Sequence, residues 1–162
     1  MEGLGAAASV IAVLQITTQV VSLAYGYTTG VKRAPTSLQR LIDELKSLVK
    51  ILSALQSTAQ DSSSAVLGQL FNPLLKYGVE MKSLNEKLEA KQKKLQSSWW
   101  GASLVRLQWP LAESETVGLI LETERFKQSL NLALSIDQTS SLRTIEDSTR
   151  ETNATMRAQD MD

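Results

Sequence analysis

The sequence predicts an all-α protein, a four-helix-type bundle with a largely buried N-terminal helix and a long C-terminal helix. Three observations carry that expectation. Only three Pro and eight Gly are spread over 162 residues, with few β-branched or aromatic runs, so long helices are permitted. Leucines recur in steps of three and four through the middle of the chain, which is the spacing of an amphipathic helix. Four such apolar segments are separated by polar or Gly- and Pro-marked breaks, enough to enclose one core. A chain of this length can bury that core without disulfides or metal.

The first helix is expected from about Leu4 to Tyr25. Glu2 is the sole charge in the first thirty residues. On a helical wheel Gln15, Gln19 and Ser22 share a narrow polar stripe, extended by Ala8 and Ala12. The remaining arc carries Val10, Ile11, Val13, Leu14, Ile16, Val20, Val21 and Leu23. An apolar arc that wide implies burial on most sides, and Gly26 and Gly30 mark its end. The second helix follows Pro35, with Thr36 or Ser37 as cap. Leu38, Leu41, Leu45, Leu48, Leu52 and Leu55 form its seam, widened by Ile42 and Val49.

QSTAQDSSS (56–64) reads as a loop, with a short turn over 65–71. Asn72-Pro73 then reads as a break and a new start, Asn as cap and Pro at the first helical position. Leu74, Tyr77, Met81, Leu84 and Leu88 line one face, and Lys76, Glu80, Lys82, Glu86, Lys87 and Glu89 the exposed one. Residues 91–111, punctuated by Ser97, Ser98, Gly101 and Pro110, read as a loop holding all three tryptophans. Glu113 and Glu115 suit the N-terminal turn of the last helix, whose apolar face is Leu119, Ile120, Phe126, Leu130, Ala133 and Leu134. Past Asp137 the stripe thins. The division expected is a bundle over 1–137 and a polar helical extension or linker over 138–162, leading to further domains.

Composition narrows the function. There is no Cys and no His, so the usual zinc ligands, thiol nucleophile and imidazole base are missing. No metal, cofactor or catalytic residue is expected, and Glu113/Glu115 and Glu122/Glu124 lack the pocket a catalytic pair needs. The chain is read as a non-enzyme. Lack of Cys fits a reducing compartment. Net charge is zero but segregated: residues 1–112 hold twelve Lys/Arg against seven Asp/Glu, and 113–162 five against ten. An acidic C-terminal part packing along a basic part is expected, and nucleic acid is not.

For the first segment, a signal peptide fails because no Lys or Arg precedes Lys32. A lone permanent span fails because Gln15, Thr17, Thr18, Gln19 and Ser22 would need partners in lipid. Periodicity leaves two readings open, a core helix and a helix that enters membrane on demand. A basic-aromatic cluster, Lys91, Lys93 and Lys94 beside Trp99 and Trp100, suits either an anionic lipid surface or an ordinary solvated helix end. Trp109-Pro110 reads as a structural anchor.

Three stretches carry a resemblance: GLGAAASVIAVLQITTQVVSLAYGY, VKRAPTSLQRLIDELKSLVKILSALQ, and RLQWPLAESETVGLILETERFKQSLNLALSID. In this order and spacing, residues 1–137 resemble the HeLo-like N-terminal domain of fungal STAND (NLR-type) proteins, related to HeLo domains and to the mixed-lineage kinase-like four-helix bundle. The resemblance implies a bundle joined to downstream nucleotide-binding and sensor domains of the same chain. It also implies regulated cell death in fungal incompatibility or innate immunity, through self-association and permeabilisation of the plasma membrane. The protein would be cytoplasmic when inactive and at the plasma membrane when activated.

On that reading Glu2, Leu4 and the apolar arc Val10 to Leu23 insert. Gln15, Gln19 and Ser22 pair between protomers. The competing expectation is an adaptor bundle that signals through helix–helix contacts and never enters lipid.

Overall fold

The computed structural model describes residues 2–29, 35–59, 64–97 and 108–159. They form four helices: α1 (Glu2–Thr29), α2 (Thr36–Ala59), α3 (Ser64–Ser97) and α4 (Glu113–Gln159). The all-α bundle expected from the spacing is what forms.

Each helix has two principal neighbours. α1 packs on α2 and α3, and α4 closes the other side against the same two. α1 and α3 run parallel, since Gly5 lies by Phe71, Val13 by Gly78 and Tyr27 by Leu88. α2 and α4 are also parallel, paired through Ser37–Glu113, Arg40–Glu124 and Glu44–Lys127. α1 and α4 therefore stand diagonally across the bundle.

The core is the leucine seam of α2, buried from Leu38 to Leu55, together with Leu74, Met81 and Leu88 of α3 and Ile120, Phe126 and Leu130 of α4. Tyr77 stacks on Phe126 at 4.3 Å between ring centres. Buried hydroxyls are satisfied locally or across the bundle: Thr17 donates to the Val13 carbonyl, and Thr123 to Leu119 while sharing a hydrogen bond with Tyr77. The segregated charges meet in part as expected, through Arg40–Glu124 and Lys76–Glu122. The best shielded pair, Lys127 with Glu44, has the opposite polarity.

Several element boundaries differ from the sequence expectation. α1 runs through Gly26 to Thr29 because Tyr27 completes its buried seam. α2 continues through Ala59, beyond the expected start of the loop at 56. Pro73 lies inside α3 rather than at a break. Leu70 and Leu74 are both buried on one face, so packing holds the two sides of Pro73 in one helix despite the lost hydrogen bond. α3 also continues through 91–97, where basic residues complement the negative end of its dipole. Finally, α4 runs unbroken to Gln159, although among the described residues none beyond Leu134 packs on the core.

Candidate functional site

Little of α1 is covered in this bundle. Its buried positions are Ala6, Val10, Val13, Thr17, Val20, Ala24 and Tyr27. They alternate in steps of four and three, a strict a/d seam of the kind two parallel helices share. Leu14, Ile16, Val21 and Leu23 flank the seam half-buried. Gly5, Ala8, Ile11, Ala12, Gln15, Gln19, Ser22 and Tyr25 are exposed.

This corrects the expectation of a largely buried first helix. Among the described helices α2 and α3 are its principal neighbours and α4 is diagonal, so α1 has a covered side and an open one. The segment Gly5–Thr28 is long and apolar enough to cross a membrane, yet only 28% of its most apolar window is buried in the bundle.

The predicted residues distribute as follows. Val10, Val13 and Val20 sit in the seam, Leu14, Ile16, Val21 and Leu23 on its flanks, and Ile11 outside. Gln15, Gln19 and Ser22 lie together on the open face. The side chains of Glu2 and Leu4 lie outside the described residues. Lys91, Lys93 and Lys94 are exposed near the end of α3, while Trp99 and Trp100 lie outside the described residues.

Trp109 and Pro110 are half-buried. The Trp109 indole donates to Thr116 Oγ1 at 2.9 Å, and its ring meets the edge of Tyr27 at 5.6 Å between centres. Tyr27, 2% exposed, donates its hydroxyl to the Leu88 carbonyl at 3.0 Å, and burial raises its pKa. The end of α1 is thus clasped by α3 on one side and the entry to α4 on the other. Lys46 adds a cation over the face of the exposed Tyr25, 5.3 Å from its ring centre.

Two groups escaped the sequence reading. Glu80, expected on a charged outer face, is half-buried against Glu122 of α4. Burial first, then the hydrogen bond and charge of Glu122, push its carboxyl up to about 7, against the pull of Lys76. Two carboxylates this close share a proton more readily than both ionise. Beside them burial pushes the Tyr77 phenol up as well, against its hydrogen bond to Thr123. The second is Asn85, 7% exposed on the α1-facing side of α3. Its spacing of four from Met81 was the available signal.

Residues 1–135 match the family model for the N-terminal region of the pigment biosynthesis cluster protein PigL. The chain belongs to this family. PigL N-terminal domains are a fungal, HeLo-related family. In this member the matched region takes in α1, α2, α3 and α4 as far as Ala133 and Leu134, its last core contacts. No curated protein matches the chain, and no solved structure does.

Proposed function

We propose that this PigL N-terminal domain is a non-enzymatic effector, activated by clustering, whose α1 leaves the bundle to permeabilise the plasma membrane. It acts for sensor and nucleotide-binding domains of a fungal STAND-type receptor in regulated cell death. One observation carries the reading: a membrane-length apolar helix with a buried seam and, among the described residues, an exposed opposite face. Each seam Val transferred to solvent costs about 1.5–3 kcal/mol. Lipid offers the same apolar environment to the seam and adds burial for the open face. Docked and inserted states therefore compete. Gathering protomers supplies partners for Gln15, Gln19 and Ser22, already aligned on the open face.

The chain's lack of cysteine gives a clean test. A Cβ built on Gly78 lies 3.3 Å from Val13 Cγ2, within the reach of a disulfide. The double variant V13C/G78C, fused to an inducible oligomeriser, is assayed for dye release from anionic-lipid vesicles. Leakage when reduced and clustered, abolished on oxidation, is the expected result. Equal leakage in both redox states would mean α1 need not leave. A folded, clustered protein that leaks in neither state would favour the adaptor reading.

A further inference from the structure

The parallel packing of α1 on α3 leaves a groove of about 500 Å³ along one side of the pair. That volume is in the range of small-molecule sites, about 300–1,000 Å³. Its two ends differ chemically. At one end Ala12 and Ile16 of α1 face Leu75, Gly78 and Val79 of α3. Leu75 is 47% exposed and Val79 69%, both large for residues whose neighbours are core. The other end is lined by Lys82, Asn85, Glu86 and Glu89.

Asn85 is the informative member. Its Nδ2 donates to Glu89 Oε1 at 2.9 Å, which fixes the orientation of the amide. Its Oδ1 is then buried with no hydrogen-bond partner. A buried acceptor left unpaired is destabilising, so the site lacks a donor. Beside it stand a cation, Lys82, and then two carboxylates, Glu86 and Glu89, in sequence along the helix axis.

We propose that this groove binds a phospholipid with a phosphoethanolamine head. One acyl chain lies along Ile16, Leu75 and Val79, the phosphate meets Lys82, and the ammonium donates to Asn85 Oδ1 and the Glu86 and Glu89 carboxylates. The order of charges in the head, anion then cation outward from the chain, matches the order Lys82 then Glu86 and Glu89 along α3. Leu75 to Lys82 spans about 10.5 Å at 1.5 Å per residue, so the groove takes the part of the chain next to the head rather than a whole leaflet's length of about 15 Å. Lys82 to Glu89 gives the head about another 10.5 Å.

The site also discriminates. A phosphocholine head carries the same charges but no N–H, so it leaves Asn85 Oδ1 unpaired and meets the carboxylates without hydrogen bonds. The proposal deepens the membrane reading by naming a lipid class, and it rests on that reading for the biological source of the ligand.

The test separates the two. The intact 162-residue chain, unclustered, is titrated with dihexanoyl phosphoethanolamine and dihexanoyl phosphocholine below their micelle concentrations, with binding followed by amide chemical shifts. Ethanolamine is expected to bind at least about tenfold more tightly, the scale of a charge-assisted hydrogen bond. Shifts are expected on both α1 and α3 around Ile16, Val79 and Asn85. Asn85→Leu should abolish the preference while leaving the bundle folded, since it removes an unpaired buried acceptor. Should that variant not fold, Glu89→Gln at the groove's rim serves instead and should cut the preference severalfold, while Lys82→Met should weaken both heads alike.

Equal binding of the two heads, or binding of neither, overturns the proposal. Selective binding by a protein that never leaks vesicles keeps the lipid site and sinks the effector reading. Clustered leakage without head selectivity does the reverse.

Discussion

Tyr27 should be the residue on which docking of α1 depends most, and two substitutions measure it separately. Tyr27→Phe removes only the hydroxyl that donates to Leu88. The Leu88 carbonyl lies inside α3 and keeps its helical partner, so the loss is that of one neutral hydrogen bond, about 1 kcal/mol. Tyr27→Ala also empties a site that is 2% exposed, at about 3–5 kcal/mol for a buried aromatic. It further removes the edge contact with Trp109, worth about 1 kcal/mol more. Against a typical domain stability of about 5–15 kcal/mol, the Phe variant stays folded and the Ala variant becomes marginal.

Urea unfolding at pH 7 gives both values, and hydrogen exchange locates them. In Tyr27→Phe the amides in the last turns of α1 should lose protection first, while those of α2 keep theirs. A thermal midpoint lowered by about 2–4 °C is expected for one kcal/mol in a chain of this size. A Tyr27→Ala protein within 1 kcal/mol of wild type would refute the clasp, because the ring would then not be holding α1 against α3 and Trp109.

Glu80 binds its proton more tightly folded than unfolded, so its contribution to stability is fully present below about pH 4.5 and is lost as pH rises to about 7. Glu80→Gln should flatten that decline, matching wild type near pH 4 and exceeding it at pH 8; a Gln variant no more stable at pH 8 counts against the shared proton. Lys127→Met strands Glu44, whose ion pair is 18% and 22% exposed, and should cost about 2 kcal/mol in urea unfolding. Most of that loss should return in Glu44→Gln/Lys127→Met, and a double variant worse than the single would refute the pairing. A chain ending at Asp137 keeps every core contact of the described residues, so its unfolding free energy should stay within about 0.5 kcal/mol of the full chain. A larger loss would place the extension on the bundle.

The α2 seam was legible because its apolar and charged residues alternate at one period, leaving a single way to bury Leu38 to Leu55. Glu113 marked the start of α4 through its charge. α1 was harder for the opposite reason. A helix apolar almost all round has no sequence signal for which side is covered, and that was decided by which neighbours the topology provides. Its true seam passes through Thr17, whose hydroxyl is satisfied by its own helix, so a polar residue marked the core while Ile11 marked the surface.

Local punctuation misled where packing overrode it, at Gly26, whose helix Tyr27 carries on, and at Pro73, bracketed by Leu70 and Leu74. The Glu80–Glu122 contact and the groove at Asn85 join residues of separate helices, and spacing within one helix does not reveal them.

The parallel pairing of α1 with α3 also sets an order of events during synthesis. Domains assemble from the N-terminus as the chain emerges, and both neighbours of α1 are complete by Ser97. A three-helix unit can therefore close over the α1 seam before α4 has emerged. The most lipid-prone stretch of the newborn chain then has a protein partner early, and the last helix arrives to seal α2 and α3 rather than to rescue α1.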